Sequence, residues 1–282
     1  MRLSFYTYSY TDKLKLSTVA CLERIARTGY AGIDVSGTYG ASDDPKSFDA
    51  ALRKLTRETA ERLKLRIEAV ITHAQLTDSL ADARRKPLDL KGSVDLAVDL
   101  GAPVVTFHMG GFPKGQEQGA ARDAFWKKAA GYIREATDYG AARHVALATD
   151  GIWPTWIVDS PDSLARLFDE VGHANFGVNF DPSYLVLMGV DPAKFAARFP
   201  KRIVHAHLKD HRGKFEKWTH LIPGKGEMNY ARVFEALKRI GFEGAAAVEC
   251  FTDMKFEEAC DDGHAAMTAA AREAGVVFER KS

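Results

Sequence analysis

The chain has 282 residues, of which 46% are apolar and 27% charged, so it is long enough to form one large core. Its 39 basic and 38 acidic residues give a net charge of +1, which disfavours nucleic acid as a partner because non-specific phosphate binding needs a cationic surplus. The odd count of 3 cysteines and the lack of a signal peptide or long apolar segment predict a cytoplasmic protein without a membrane span.

Short apolar runs alternate with longer amphipathic segments from one end of the chain to the other. The apolar runs are, in order, LSFYT, AGIDVSG, RIEAVIT, PVVTFHM, HVALATD, NFGVNFD, IVHAHLK and AAAVECF. The helix-like segments are 17–28, 47–65, 88–100, 122–139, 162–171, 191–197, 230–240 and 257–273. Several have Ser or Asp in front and Gly behind, as helix caps require. This alternation predicts parallel strands with helices outside, and eight such repeats close a single-domain (β/α)8 TIM barrel over residues 1–282.

Polar residues share one face of several predicted strands. In IVHAHLK the apolar residues lie on one face, and His205, His207 and Lys209 lie on the other. The same split puts Asp181 and Glu249 on the polar faces of NFGVNFD and AAAVEC, at their carboxyl ends. Barrel enzymes place their active sites at that end, so we expect these side chains to meet at one mouth.

Asp181, His207 and Glu249 come from three successive predicted strands and bring two carboxylates together. Burying two carboxylates is costly unless a cation or protons compensate them. Oxygen and imidazole ligands without a thiolate suit one divalent ion, Mn²⁺, Mg²⁺, Co²⁺ or Zn²⁺, of which we favour Mn²⁺. The alternative is that all three are structural polar groups that line the barrel mouth.

The segments NFDPSYL, HAHLKD, PGKGEMNYARVFEALKRIGFEG, AVEC and IARTGYAGIDVSG resemble the xylose isomerase-like TIM barrels of the sugar phosphate isomerase/epimerase superfamily. That family includes ketose 3-epimerases, hydroxypyruvate isomerases, inosose dehydratases and AP endonucleases. The resemblance implies one divalent metal held by Glu, Asp, His and a second Glu, one from each of strands five to eight. Asp181, His207 and Glu249 match the last three ligands.

The first ligand of the family pattern is missing. Ala148 stands in the place of the strand-five glutamate, and Asp150 follows two residues later on the same interior face. Either Asp150 reaches the metal from one pleat higher, which we favour, or the metal keeps three protein ligands and more water, or the metal is lost.

The site could remove a proton from carbon next to a carbonyl, with Glu249 as general base and ligand. Asp150 would also contribute to catalysis, as the fourth metal ligand. Lys209 would be an acid or a substrate hydrogen-bond donor; its alternative is a rim lysine paired with Asp210 or with a carboxylate on a neighbouring loop. Because Ala148 removes one of the two glutamates that work from opposite faces in the epimerases, a symmetric two-base mechanism is in doubt.

Further side chains are candidates for contacts with the substrate, a small sugar or polyol. They are His73, His108, Trp153, Tyr184, Arg212 and His220. His205, one pleat deeper than His207, is expected to be a hydrogen-bonded interior histidine. Ala148 and Tyr184 depart from the AP endonuclease pattern, which disfavours a DNA-repair site.

The sequence thus predicts a metal-dependent isomerase or epimerase, or a dehydratase-type lyase, acting on a small keto sugar, polyol or sugar derivative. The alternative is a catalytically altered barrel that binds a sugar as a sensor or as the partner subunit of another enzyme, and Ala148 favours it. The sequence is compatible with a homo-oligomer.

Overall fold

The computed structural model describes residues 1–37, 45–81 and 88–279. Eight parallel strands form a closed barrel. They are β1 (Arg2–Tyr6), β2 (Gly32–Ser36), β3 (Arg66–Gln75), β4 (Val104–His108), β5 (Ala146–Thr149), β6 (Phe176–Phe180), β7 (Ile203–Leu208) and β10 (Ala245–Val248). Their order around the barrel is β1-β10-β7-β6-β5-β4-β3-β2, and β1 pairs with β2 to close it. The predicted TIM barrel is confirmed.

Helices connect the strands and cover the outside of the barrel. They are α1 (Thr18–Thr28), α2 (Ala50–Arg62), α3 (Leu76–Ala81), α4 (Leu90–Leu100), α5 (Gly119–Ala141), α6 (Pro161–Val171), α7 (Pro182–Leu187), α8 (Pro192–Arg198), α9 (Tyr230–Arg239) and α10 (Phe256–Glu273). Ser17 caps α1 at the predicted start of that helix, and Asp49 and Asp89, which lie inside the predicted segments 47–65 and 88–100, cap α2 and α4. Gly29 and Gly101 end α1 and α4 in the left-handed conformation that glycine adopts without strain.

The main core lies between the strands and the helices. Phe5, Phe107, Phe176 and Phe180 on three strands are fully buried there, because the outward face of each strand packs against helices. The inward faces carry a smaller apolar cluster that includes Ile71 and Val104, together with buried polar residues such as His205, which is 1% exposed. The polar side chains of the barrel interior therefore lie on the inward faces.

A hairpin follows β7 that the sequence analysis did not predict. Strands β8 (Asp210–Lys214) and β9 (Lys217–Leu221) pair antiparallel where we expected an irregular loop. The turn between them has no glycine pair; Glu216 adopts a φ of 73°, so the usual sequence signal of a tight turn is missing. Asp210 fixes the base of the hairpin, since its carboxylate accepts backbone N–H groups of Gly224, Gly226 and Met228.

Some predictions concern the chain as a whole. None of the helices in the described ranges is long and apolar enough to cross a membrane. Cys21, Cys250 and Cys260 are buried and free. The predicted domain bounds of 1–282 stay a prediction, and the last residues, 280–282, lie outside the described part of the chain.

Candidate active site

A cavity of about 330 Å³ opens at the carboxyl ends of the barrel strands. Residues from both ends of the sequence line it, because the barrel brings distant strands to one mouth. The lining includes Tyr6, Tyr8, His73, Gln75, His108, Asp150, Trp153, Trp156, Tyr184, His207, Lys209, Glu249 and Phe251. Its volume suits a small organic molecule.

Lys209 lies between two of the predicted metal ligands. Its Nζ is 2.9 Å from Oδ2 of Asp181 and 3.2 Å from Oε2 of Glu249. Burial alone would lower the pKa of Lys209, but these carboxylates raise it well above its usual value. We expected a divalent ion to be the only compensation for the two acids; the structure shows that Lys209 supplies one positive charge. It is not paired with Asp210.

Local structure explains the position of Asp181. The residue caps helix α7, and its Oδ1 accepts the backbone N–H of Tyr184 at 3.1 Å. This cap fixes the carboxylate and leaves Oδ2 directed at Lys209. The Tyr184 ring covers the same ammonium group, with its centroid 4.1 Å from Nζ. One short helix therefore positions both a predicted ligand and a predicted substrate contact.

His207 joins the carboxylates of three other strands. Its Nδ1 lies 2.8 Å from Oε2 of Glu249 and 3.8 Å from Oδ1 of Asp150, and its Nε2 lies 3.6 Å from Oδ2 of Asp34. Burial opposes protonation of this imidazole, but Glu249 and Asp34 raise its pKa to about 10. Burial likewise opposes ionisation of Glu249, yet Lys209 and His207 lower its pKa to about 2, so this carboxylate stays ionised.

Asp150 has partners other than His207. Asn179 donates a hydrogen bond from its amide to Oδ1, and Nε2 of His108 lies 2.9 Å from Oδ2. Burial would raise the pKa of Asp150, but hydrogen bonding and charge from His108, with the charge of Lys209, hold it well below its usual range. Ala148 is fully buried on the same face. The predicted fourth ligand thus lies in the site with both oxygens already in use.

A second group of polar residues lies deeper in the barrel. His205 Nε2 is 2.7 Å from Oδ2 of Asp34, so the expected hydrogen-bonded histidine is present. Asp34, His205 and His207 are the described residues whose potential ligand atoms all lie within 4.8 Å of one another. Sequence reasoning gave Asp34 no role, although its place on an interior strand face was a usable signal. Neither Asp34 nor His205 lines the cavity.

Four buried polar atoms near the mouth are free to coordinate a metal ion. Oδ2 of Asp181, Oε2 of Glu249 and both ring nitrogens of His207 have no hydrogen bond of suitable geometry within the described ranges, although charged partners are close. Lone pairs of this kind are what a divalent ion takes up, and the donor set is oxygen and imidazole nitrogen. In the deeper group, by contrast, Asp34 and His205 already satisfy each other. The free lone pairs therefore lie at the mouth, whereas the most compact group of potential ligand atoms in the described residues is Asp34, His205 and His207.

Aromatic and imidazole rings line another part of the cavity, which extends from β1, next to β10, to β3 and β4. The Tyr6 hydroxyl forms a hydrogen bond with Nε2 of His73, and the Tyr8 ring stacks on His73 with centroids 3.8 Å apart. Burial and the neighbouring His108 lower the pKa of His73 to about 3, so its ring is neutral. Predicted contacts His73 and His108 therefore both line the cavity.

The remaining predicted contacts divide into two pairs. Trp153 and Tyr184 line the cavity, and their ring centroids are 4.8 Å apart. Arg212 and His220 do not line it. Arg212 is exposed and reaches the Lys225 carbonyl at 3.4 Å. His220 stacks behind the lining, and burial lowers its pKa to about 4.

The family model of the xylose isomerase-like TIM barrel matches residues 22–273. The chain therefore belongs to that family. Among curated relatives, the rhizopine catabolism protein MocC of Rhizobium meliloti is 26% identical over 258 residues, covering 83% of this chain and 74% of that protein. The inosose dehydratase of Geobacillus thermodenitrificans is 29% identical over 111 residues, covering 34% of this chain and 37% of that enzyme.

Solved structures agree with the fold. A D-tagatose 3-epimerase-like protein superimposes with a TM-score of 0.78 at 17% identity, covering 98% of this chain and 98% of that chain. At this identity the likeness shows the fold alone. The relatives of the chain include sugar epimerases and inosose dehydratases.

Proposed function

We propose that this protein is a metal-dependent isomerase, epimerase or dehydratase-type lyase that removes a proton next to a carbonyl of a small keto sugar or polyol. The observation that carries the proposal is the cluster of Asp181, His207, Lys209 and Glu249 at the barrel mouth. His207, Lys209 and Glu249 line the cavity, and Asp181 lies behind Lys209. An ionised carboxylate beside a fixed cation can accept a proton while neighbouring charges stabilise the anion that forms.

Each residue of the site has a role that follows from its position. Glu249 is the general base, since it is ionised and its side chain is 12% exposed at the cavity. Lys209 neutralises the acids and orients a substrate oxygen, while the Trp153 and Tyr184 rings offer flat faces to the C–H groups of a sugar. Asp181, His207 and Glu249 would hold a divalent ion, which supplies positive charge to substrate oxygens when bound.

Names of relatives support the substrate class. The names of two relatives, an inosose dehydratase and a D-psicose 3-epimerase, indicate a keto polyol and a keto sugar as their substrates. The cavity suits a molecule of that size. We infer a small sugar or polyol as the partner and the cytoplasm as the location, as free buried thiols favour.

The test combines metal content with turnover. Purified protein is assayed by elemental analysis and then with D-tagatose, D-psicose and scyllo-inosose in the presence of Mn²⁺. We expect a bound divalent metal and turnover, and the substitution Glu249→Gln should lower kcat by about 10³-fold, within the range of a lost general base. The exposed Glu235→Gln on α9 is the matched control and should leave kcat unchanged.

A contrary result would support the binding module. Tight sugar binding without metal and without turnover would contradict the proposal. The absence of the strand-five glutamate, with Ala148 in its place, would then explain a barrel that binds sugar without converting it.

A further inference from the structure

His108 and Glu249 face each other across the cavity. His108 ends β4 and Glu249 follows β10, and these two strands are four places apart in either direction around the barrel. Both side chains line the same cavity. A substrate in this cavity therefore has Glu249 on one side and His108 on the other.

His108 differs from the other histidines near the mouth in its partners. Nε2 of His73 is bonded to the Tyr6 hydroxyl, and His207 is enclosed by carboxylates. His108 has one carboxylate partner, Asp150, at 2.9 Å from Nε2, and its side chain is 24% exposed. Its other nitrogen, Nδ1, forms no hydrogen bond with the part of the chain that the structure describes. One nitrogen is thus oriented and the other is available.

Asp150 is held in place for this role. The Asn179 amide donates to Oδ1, which leaves Oδ2 for His108. Ala148 has no polar group to compete for either partner. A carboxylate that orients one imidazole nitrogen while the other acts on the substrate is an established arrangement for acid–base catalysis.

We propose that His108 is a general acid–base residue for a substrate oxygen, oriented by Asp150, and that it works across the substrate from Glu249. The inference rests on the proposed function, and it assigns the missing second group to a histidine rather than to a second glutamate. Asp150 is then a positioning residue and not a fourth metal ligand.

The proton balance is simple for loss of water. Glu249 takes the proton from carbon, and the pair of the broken C–H bond forms the new C=C bond. The neighbouring C–O bond breaks, its pair leaves with the hydroxyl group, and His108 gives that group a proton to form water. Solvent then carries the proton of Glu249 back to His108. In an isomerisation, His108 protonates the carbonyl oxygen instead.

Kinetics of three variants test the assignment. The assay uses scyllo-inosose and D-tagatose with Mn²⁺, and metal content is measured for each protein. We expect His108→Gln to lower kcat about 100-fold and Asp150→Asn about 10-fold, with KM within about threefold of the wild type and unchanged metal content. His73→Gln, the matched control in the same cavity, should mainly raise KM.

A spectroscopic measurement tests the dyad without turnover. Long-range ¹H–¹⁵N correlation spectra report which ring nitrogen of His108 carries the proton. We expect Nε2 to carry a proton directed at Asp150 in the wild type, and a smaller population of this Nε2–H form in Asp150→Asn. The same Nε2–H population in both proteins, or a wild-type His108 without a proton on Nε2, would overturn the inference.

The two proposals fail differently. Wild-type turnover with an unaffected kcat in His108→Gln would overturn the role of His108 and leave the proposed function standing. No turnover by the wild type would contradict the proposed function, and the spectra would still decide whether Asp150 orients His108. Loss of bound metal in Asp150→Asn would make Asp150 a ligand and overturn its positioning role.

Discussion

Two buried histidines in different parts of the site have pKa values shifted in opposite directions. On the charged wall, formed by Asp181, His207, Lys209 and Glu249, neighbouring carboxylates raise the pKa of His207 to about 10, against the effect of burial. On the aromatic wall, formed by Tyr6, Tyr8, His73 and His108, burial and His108 lower the pKa of His73 to about 3. The neighbours decide whether a buried imidazole is charged.

The difference gives each wall a separate task. The charged wall can hold an ion and an ionised base, while the aromatic wall offers neutral rings to the substrate and one histidine with a carboxylate behind it. Polar chemistry is therefore concentrated on β6, β7 and β10, across the barrel from β3 and β4.

The largest effect is expected from the cation of the charged wall. Lys209→Met removes the ammonium group between Asp181 and Glu249, so two buried carboxylates lose their partner. Breaking a buried ion pair from one side typically costs about 3 kcal/mol or more. We expect a loss of about 3 kcal/mol in the free energy of unfolding, measured by urea denaturation of chelator-treated protein.

A control and an ion addition make this test specific. Lys201→Met changes an exposed lysine and should leave the free energy of unfolding within about 0.5 kcal/mol of the wild type. Added Mn²⁺ should stabilise Lys209→Met more than the wild type, because it replaces the missing positive charge. Equal urea midpoints for Lys209→Met and the wild type would show that the acids do not need this cation.

The charged wall also illustrates what the sequence can predict. Strand parity placed Asp181, His207, Lys209 and Glu249 at one mouth, and the structure brings them together. The periodic pattern fixes only which face a side chain takes. Which atoms pair within a mouth depends on distances between strands, so the position of Lys209 between two acids could not be read from the pattern.

Elsewhere the sequence was less informative. The eight strands and the outer helices follow from periodicity and capping residues, and the barrel order follows from their number. The hairpin β8–β9 was missed because its polar strands lack apolar alternation and its turn has no glycine pair. That hairpin makes Arg212 exposed, although we expected it near the substrate.

The second prediction separates the mouth of the barrel from its deeper layer. If Asp181 is a ligand, Asp181→Asn should weaken Mn²⁺ binding about 100-fold. Asp34 lies 3.6 Å from Nε2 of His207 and would act only behind that ligand, so Asp34→Asn should weaken binding about 10-fold. Isothermal titration calorimetry measures both. The reverse order of effects would move the ion to Asp34, His205 and His207.

The smallest effect concerns the aromatic wall. The pKa of His73 is about 3 in the folded protein, below the ordinary value of 6.5, so only the unfolded chain binds this proton as the pH falls below 6.5. Stability from this residue is complete above pH 6.5 and decreases down to about pH 3. For a single proton, one pH unit changes the free energy of unfolding by about 1.4 kcal/mol at most. Between pH 7 and 5.5 the free energy of unfolding should therefore fall by about 1 kcal/mol less in His73→Gln than in the wild type.

Urea denaturation at both pH values measures this difference, and His144→Asn is the control because His144 is exposed and Asn tolerates its left-handed φ of 61°. That variant should lose as much stability as the wild type. An equal loss in His73→Gln and the wild type would mean that His73 takes up a proton in the folded protein. The aromatic wall would then carry charge, and the contrast with the charged wall would disappear.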